Sequence, residues 1–553
     1  MQNTQHHHTQ SRLTWWLDLA FLTLTLGCLF FVLLGSRPLF VPDEGRYAEI
    51  AREMVASHDW VTPTLNGIRY FEKPILFYWL GAAAIKIGGL NLWSLRSINA
   101  ILGLVGCLLT YAWTRWFYDR ATGLLAACIL ATSSLYFVMS HMVSLDLPVT
   151  VFNTATLMAA FCAYQAKTPA GTRLALTLAA IAAALAVLTK GLIGIVFPGL
   201  VFFAFIALTH GWRRLWQLPL ISSFCLFLLI AAPWHVIVNH RHPEFFYFYF
   251  IEQHFLRYTM KDIGHYQPVW FFIPTLLAGL FPWVVFLPQT LVQACKQVFK
   301  PNPERALTSF LLVWAVIIFT FFSFSKSKLI PYILPVFPPL AILMAAALRK
   351  ARLKTALVSL MVLAVAVLII SVNLLKSASL PNPLAAAHII TLALGLLITG
   401  TFFSLLTLKR QRAGALALMA LSSGLFLIMA FSAFPDMDSR TILPLTQALQ
   451  PILKPNDDVI TYDQYYQDLP FYLQRQVSIL NWHNELTYGM AHQDTRAFMI
   501  NDAEFWKRWR SQQRVFVFIN LQELVKLEAT HPDLNAKVLA TTTNTAVITN
   551  KSN

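Results

Sequence analysis

Uncharged apolar runs of about 18 or more residues recur from near the N-terminus to about residue 433, and this feature decides the fold class. A bilayer's hydrocarbon core takes roughly 20 such residues per helix. Inside it, backbone N–H and C=O groups must be satisfied without water, which helices achieve internally. The chain is therefore expected to be a polytopic α-helical membrane protein. Charged residues make up only 12% of it, whereas soluble domains carry about a quarter. The formal charge of +16 does not call for nucleic acid as a partner. Its basic residues sit in short loops between apolar runs, as the positive-inside rule requires. Cys28, Cys107, Cys128, Cys162 and Cys225 fall inside apolar runs and Cys295 in a Lys-containing loop, so they read as small apolar residues rather than disulfide partners.

The topology follows from one choice. Residues of about 14–35 form the first span, preceded by Arg12, with the N-terminus in the cytoplasm. Residues 36–73 are then a polar loop on the far side. The next apolar stretch, 75–90, is only about 16 residues long, contains Lys86 and ends in Gly88-Gly89, so it is expected to lie along the interface. Further spans fall near 92–116, 121–140, 146–165, 174–189, 192–209, 217–239, 269–293, 307–324, 330–348, 355–375, 386–408 and 413–433, about thirteen helices in all. Loops bearing Arg115/Arg120, Lys167/Arg173, Lys296/Arg305 and Lys409/Arg410/Arg412 then share the cytoplasmic side. If 75–90 spanned, all of these would flip against the charge rule. Residues 1–433 are thus expected to be the transmembrane catalytic domain. From about Phe434 polar residues return, with β-rich runs at Asp458–Thr461, Val515–Ile519 and Ala546–Thr549. Residues 434–553 are expected to form a small soluble α/β domain on the side opposite the cytoplasm.

Three polar knots share that outer face. Pro42-Asp43-Glu44 suits the first turn of a helix running to about Ala56. On it Asp43 and Tyr47 share a face, as do Arg46 and Ile50. A first-turn acid explains Asp43 alone equally well. In Arg69-Tyr70-Phe71-Glu72-Lys73-Pro74, the proline holds Lys73 extended, and a snorkelling cation would also account for the lysine. Asp146, in Ser144-Leu145-Asp146-Leu147-Pro148, is a carboxylate at the end of an apolar run, costly unless paired or functional. Lys73, Lys190, Arg257, Lys326 and Lys328 lie where the positive-inside bias leaves few cations, and an anionic ligand supplies the reason for them.

Asp-Glu-Gly-Arg-Tyr-Ala-Glu (43–49), Arg-Tyr-Phe-Glu-Lys-Pro (69–74), Thr-Lys-Gly (189–191) and Lys-Ser-Lys followed by Tyr-Ile-Leu-Pro (326–335) resemble the membrane-embedded GT-C glycosyltransferases of the protein O-mannosyltransferase superfamily, and within it the lipid A aminoarabinose transferases. The resemblance covers nearly the whole chain. It implies a GT-C fold and transfer of a sugar, 4-amino-4-deoxy-L-arabinose, from undecaprenyl phosphate to lipid A phosphate at the periplasmic face of a bacterial inner membrane. It implies Asp43 and Asp146 as acidic site residues, and Lys73, Arg257 and Tyr332 on the donor phosphate. Arg46, Tyr47, Tyr70, Glu72, Lys190, Lys326 and Lys328 complete the expected substrate-binding set. Gly45 stands where the family often has Thr or Ala, a departure expected to be harmless. The expected partners are a polyprenyl phosphate-linked sugar, lipid A or another envelope acceptor, and membrane lipids. The motifs name no cofactor; Glu72 with His254 or His265 would suit a divalent metal, although isolated His and Glu of outer loops are more often ordinary surface residues. A relative acting on a protein or another glycan is the alternative. A transporter should carry polar residues at the bilayer midplane in two matching halves, whereas the charges here sit at helix ends.

Overall fold

The computed structural model describes residues 2–209, 212–213, 217–259, 265–299, 304–349 and 352–551, with the side chains of residues 2–11 excepted. Among the described residues ten helices are long and apolar enough to cross a membrane, and two bent pairs raise the number to as many as twelve. The chain begins with α1 (Gln2–Phe31), α2 (Asp43–Ser57), α3 (Leu76–Gly88), α4 (Leu92–Phe117), α5 (Arg120–Ala131), α6 (Ser134–Ser140), α7 (Asp146–Gln165), α8 (Pro169–Lys190) and α9 (Ile193–Thr209). The count of thirteen expected from hydropathy includes α9, which has 17 residues and falls among the shorter apolar helices. The stretch expected along the interface is α3, 13 residues long, too short to span.

The bent pairs hold one another. α5 and α6 meet at 69°, and Val269–Gly279 meets Trp283–Val298 at 108°. Ser134 donates to the Phe281 carbonyl through its backbone N at 3.0 Å and its Oγ at 2.8 Å, and Trp283 Nε1 donates to Thr132 Oγ1 at 2.8 Å. Polar groups exposed at one break are thus met by the other, which is how irregular backbone survives within a helical bundle.

The first loop is built around Glu44, whose side chain is fully buried. Its carboxylate accepts from Arg37 Nη1 (2.5 Å), Arg96 Nε (2.9 Å) and Nη2 (3.0 Å), and from the backbone N of Phe40 and Val143 (both 2.8 Å). Burial opposes its charge, but Arg37 and Arg96 prevail and hold it far below the usual carboxylate range. Beyond α2, a hairpin pairs β1 (Thr64–Leu65) with β2 (Ile68–Arg69) across Asn66-Gly67, both at positive φ. Its tip docks on the C-terminal portion: Asn66 Nδ2 donates to the Val477 carbonyl and Val477 N to Asn66 Oδ1, each at 2.9 Å.

That portion carries a six-stranded sheet. Its strands are β3 (Asp458–Tyr462), β4 (Ser478–Leu480), β5 (Met499–Ile500), β6 (Val515–Asn520), β7 (Lys537–Thr541) and β8 (Thr545–Thr549), in the order β5-β4-β3-β6-β8-β7. The first four are parallel, and β8 and β7 add antiparallel. Alternation divides the strands between two cores. Val459, Phe516, Phe518 and Val547 pack with Tyr47, Ile68 and Phe71 of the first loop, while Ile460, Val517 and Ile548 face helix residues Phe505 and Leu524. The sheet therefore sits directly on the loop that carries α2. Gly45 lies at this junction: a Cβ there would come within 2.7 Å of Asp468 N and 2.9 Å of the Gln467 carbonyl carbon. A side chain at this position would force the sheet-containing domain away, so glycine is a packing requirement here.

Candidate active site

Seven segments of the chain bring their polar side chains into one electrostatic neighbourhood. From α2, Arg46 spans two carboxylates: Nη1 approaches Asp43 Oδ1 at 3.4 Å and Nη2 donates to Glu485 Oε2 at 2.9 Å. Its guanidinium carbon lies 6.0 Å from the Tyr70 ring centre. After β2, Glu72 approaches Arg257 Nη1 at 3.4 Å, and Lys73 Nζ donates to the Glu72 carbonyl at 3.0 Å. Asp146, first residue of α7, pairs with Lys190, last residue of α8; each charge sits where the helix dipole favours it. The Lys190 ammonium stands 4.2 Å from the Tyr332 ring centre. Tyr47 is buried against Phe77 and Tyr78 and feels both Asp43 and Asp146, while Lys73 feels Arg257 and Lys190.

Accessibility separates the carboxylates. The Asp43 side chain is 44% exposed, against 16% for Glu72, 13% for Asp146 and 10% for Glu485. Asp43 is thus the carboxylate most open to a substrate. Burial tends to raise the Glu72 carboxyl, but Lys73, Arg257 and Arg46 outweigh it and hold it below the usual range. Burial likewise opposes the charge on Arg46, yet Tyr70 and Glu485 hold its pKa well above the ordinary value. Lys73 behaves oppositely. Burial and repulsion from Arg257 push it down to about 7, with Glu72 only partly compensating. Among the described residues Lys73 also makes no ion pair within 4.0 Å, so its ammonium is the cation of this group left open to a ligand.

Other expected residues sit differently. Lys328 is buried and donates to the carbonyls of Gln267 and Ser325 at 2.7 and 2.5 Å, tying two outer segments together. Half-buried Lys326 donates its backbone N to the Tyr258 carbonyl at 3.1 Å. His254 has both ring nitrogens engaged: Nδ1 meets the Tyr249 carbonyl at 2.6 Å, and Nε2 accepts from Leu192 N at 3.3 Å. Burial lowers it to about 4, so it is neutral. Gly191, at φ +82°, lets His254 come this near, since a Cβ there would lie 2.3 Å from Nε2. His265 is exposed and contributes only its backbone, to Ser327 and Lys328. Among the described residues no group of three or more His, Cys, Asp or Glu side chains is arranged to hold a metal. Glu72 faces Arg257, and both ring nitrogens of His254 already have backbone partners, so the expected pairing of Glu72 with His254 is not assembled here.

One participant was not foreseen. Glu485 comes from the sheet-containing domain, 439 positions from Arg46. In sequence it is an unremarkable acid in Trp-His-Asn-Glu-Leu (482–486), and only the packing of that domain on α2 brings it to the site. The arrangement as a whole offers cations for a phosphate, an open carboxylate, and buried tyrosines that wall the site.

Known proteins resemble this chain in sequence and fold along most of its length. Residues 29–249 match the dolichyl-phosphate-mannose-protein mannosyltransferase family, and residues 445–550 match the aminoarabinose transferase C-terminal domain. The undecaprenyl phosphate-alpha-4-amino-4-deoxy-L-arabinose arabinosyl transferase of Erwinia tasmaniensis is 31% identical over 518 residues, covering 88% of this chain and 89% of the relative. The corresponding transferase 2 of Pseudomonas fluorescens is 29% identical over 543 residues, covering 94% and 90%. The crystal structure of ArnT from Cupriavidus metallidurans bound to undecaprenyl phosphate superimposes with a TM-score of 0.88 at 28% identity, covering 96% of this chain and 98% of that one. The archaeal oligosaccharyltransferase AglB from Archaeoglobus fulgidus, at 14% identity and a TM-score of 0.54 over 95% of this chain and 71% of its own, shares the fold.

Proposed function

The chain belongs to the family of undecaprenyl phosphate-alpha-4-amino-4-deoxy-L-arabinose arabinosyl transferases, and from that premise we propose that it moves 4-amino-4-deoxy-L-arabinose from undecaprenyl phosphate to a phosphate of lipid A, at the periplasmic face of the inner membrane. It is a multi-pass membrane glycosyltransferase that uses a polyprenyl phosphate-linked sugar. The observation that carries the reading is the pairing of an uncommitted Lys73, beside Arg257, with an exposed Asp43 beside Arg46. The placement of residues 434–553 in the periplasm rests on the same loop-charge argument as the site itself.

The chemistry divides between two halves. Lys73 and Arg257, with the Tyr332 hydroxyl, receive the negative charge that develops on the departing phosphate. Asp43 faces the sugar or the acceptor, and Arg46 orients the hydroxyl groups between it and Glu485. A lipid A phosphate is already ionised and needs no base, so Asp43 serves to orient the sugar through its amine and to balance positive charge on the sugar ring. Asp146, held by Lys190, keeps that lysine in place rather than acting as a nucleophile. A single displacement with inversion follows. Mass spectrometry of lipid A from cells with and without the chain tests the reading. Loss of the aminoarabinose mass increment without it is expected; an unchanged lipid A would overturn the acceptor assignment.

The depressed Lys73 gives a pH dependence. The ammonium is the form that binds phosphate, and a bound phosphate raises the pKa of this lysine above its free-site value of about 7. Affinity for undecaprenyl phosphate is therefore strongest below pH 7. It falls as pH rises through that value, by at most tenfold per unit for one proton. Lys73→Ala should weaken binding by about 10- to 100-fold, the worth of a charge-assisted hydrogen bond, and flatten the profile above pH 7. Titrating labelled undecaprenyl phosphate into both proteins at several pH values reads both effects.

A further inference from the structure

Glu485 has two oxygens, and the structure assigns each a different partner. Oε2 accepts from Arg46 Nη2 at 2.9 Å, and Oε1 accepts from Gln467 Nε2, also at 2.9 Å. Gln467 is 4% exposed, so this amide is largely shielded from solvent. Its own backbone is pressed against α2 at Gly45, one residue before Arg46. The segment that supplies the amide is thus fixed to the helix that supplies the arginine. An amide at this point donates to Glu485 without adding charge. A lysine or arginine would neutralise Glu485 and release Arg46; a carboxylate would repel it.

We propose that Gln467 is a positioning residue for sugar transfer: it orients Glu485, which holds Arg46 beside Asp43, and thereby makes the C-terminal domain a working part of the active site. Glu485 faces Arg46 from α2 and lies within electrostatic reach of Tyr465, on the same segment as Gln467. Through Arg46 it is coupled to Asp43, Tyr70 and Glu72. A Gln467 variant therefore acts first on the sugar side of the site, and reaches Lys73 and Arg257, on the phosphate side, only indirectly through the charges of Arg46 and Glu72. The inference rests on the transferase reading above, which the wild-type protein tests independently.

The experiment uses the full-length protein in lipid nanodiscs, with undecaprenyl phosphate-linked aminoarabinose and lipid A, and compares wild type with Gln467→Glu and Gln467→Met. At about pH 8 both variants are expected to transfer at least about tenfold more slowly than wild type while binding undecaprenyl phosphate equally well. As pH falls toward about 5.5, the introduced carboxyl of Gln467→Glu takes up a proton and donates to Glu485 in place of the amide. Its rate relative to wild type should then recover; that of Gln467→Met should not. A Gln467→Glu profile parallel to wild type overturns the proposal, as does a loss of undecaprenyl phosphate binding as large as the loss of transfer. Failure of the wild type to transfer at all would instead remove the parent reading.

Discussion

Asp43→Asn is expected to reduce sugar transfer by at least about 100-fold while protein levels in the membrane and affinity for undecaprenyl phosphate stay at wild-type values. The magnitudes separate the two explanations for this acid. As a first-turn residue of α2, its interaction with the helix dipole is worth about 0.3–1 kcal/mol, a cost too small to change abundance. The helix is capped at Pro42 with no side-chain cap bond, and among the described residues the Asp43 carboxylate meets only Arg46, at 3.4 Å. Losing it costs the fold little. A 100-fold rate loss corresponds to about 2.7 kcal/mol in the transition state alone. Rates with the purified protein, beside a binding titration with undecaprenyl phosphate, make the distinction. Wild-type turnover in Asp43→Asn would remove this residue from the mechanism, and a parallel loss of binding would assign it to the donor phosphate instead.

Some of this was legible in the sequence for reasons that hold physically. Spans announce themselves through length and hydropathy, and the stretch 75–90, which holds α3, stands apart because about 16 residues interrupted by Lys86 fall short of a bilayer's thickness. Loop charges then put Asp43, Lys73, Asp146, Lys190, Arg257 and Tyr332 on one face before any coordinates. Strands β3, β6 and β8 were visible as β-branched and aromatic runs. β4 and β5, with three and two residues, are too short to show a period, and the edge strand β7 is largely exposed. What stayed hidden depends on contacts between distant segments. Hydropathy sees α5–α6 as one run, and nothing in it reveals that Ser134 and Thr132 meet Phe281 and Trp283 across a second break. Lys328 looked like a phosphate ligand because an outer-face cation needs a partner. Its partners are two carbonyls, a solution that composition cannot distinguish from an anion. Glu485 and Gln467 lay beyond reach for the same reason: a polar residue in a soluble domain carries no local mark of the loop it will land on.

The residue next to Asp43 should give the opposite phenotype. Glu44→Ala is expected to destabilise the protein by about 3–5 kcal/mol, the cost of stripping one partner from a buried ion pair, against a total stability of roughly 5–15 kcal/mol for an average protein. Two guanidinium groups are affected. Arg37 and Arg96 both lie within the protein, at 3% and 0% exposure; among the described residues both would keep carbonyl partners but lose their one ion pair within 4.0 Å, with only the more distant charge of Asp438 left to Arg37. The backbone N–H groups of Phe40 and Val143 would lose their acceptor as well. Glu44→Gln keeps the volume and still fails, since its amide nitrogen would face donors. Mild acid, by contrast, should leave the network intact. The stability gained from a carboxyl depressed this far is fully present above its unfolded value near 4.5 and is lost only as pH falls through its much lower folded value. Thermal unfolding of detergent-purified protein, followed by size-exclusion chromatography after heating, gives the comparison. Asp43→Asn should melt with wild type, Glu44→Ala and Glu44→Gln many degrees lower or not accumulate, and wild type at pH 5.5 close to wild type at pH 7. A Glu44→Ala protein that melts with wild type would show that Arg37 and Arg96 are held by their carbonyl partners alone.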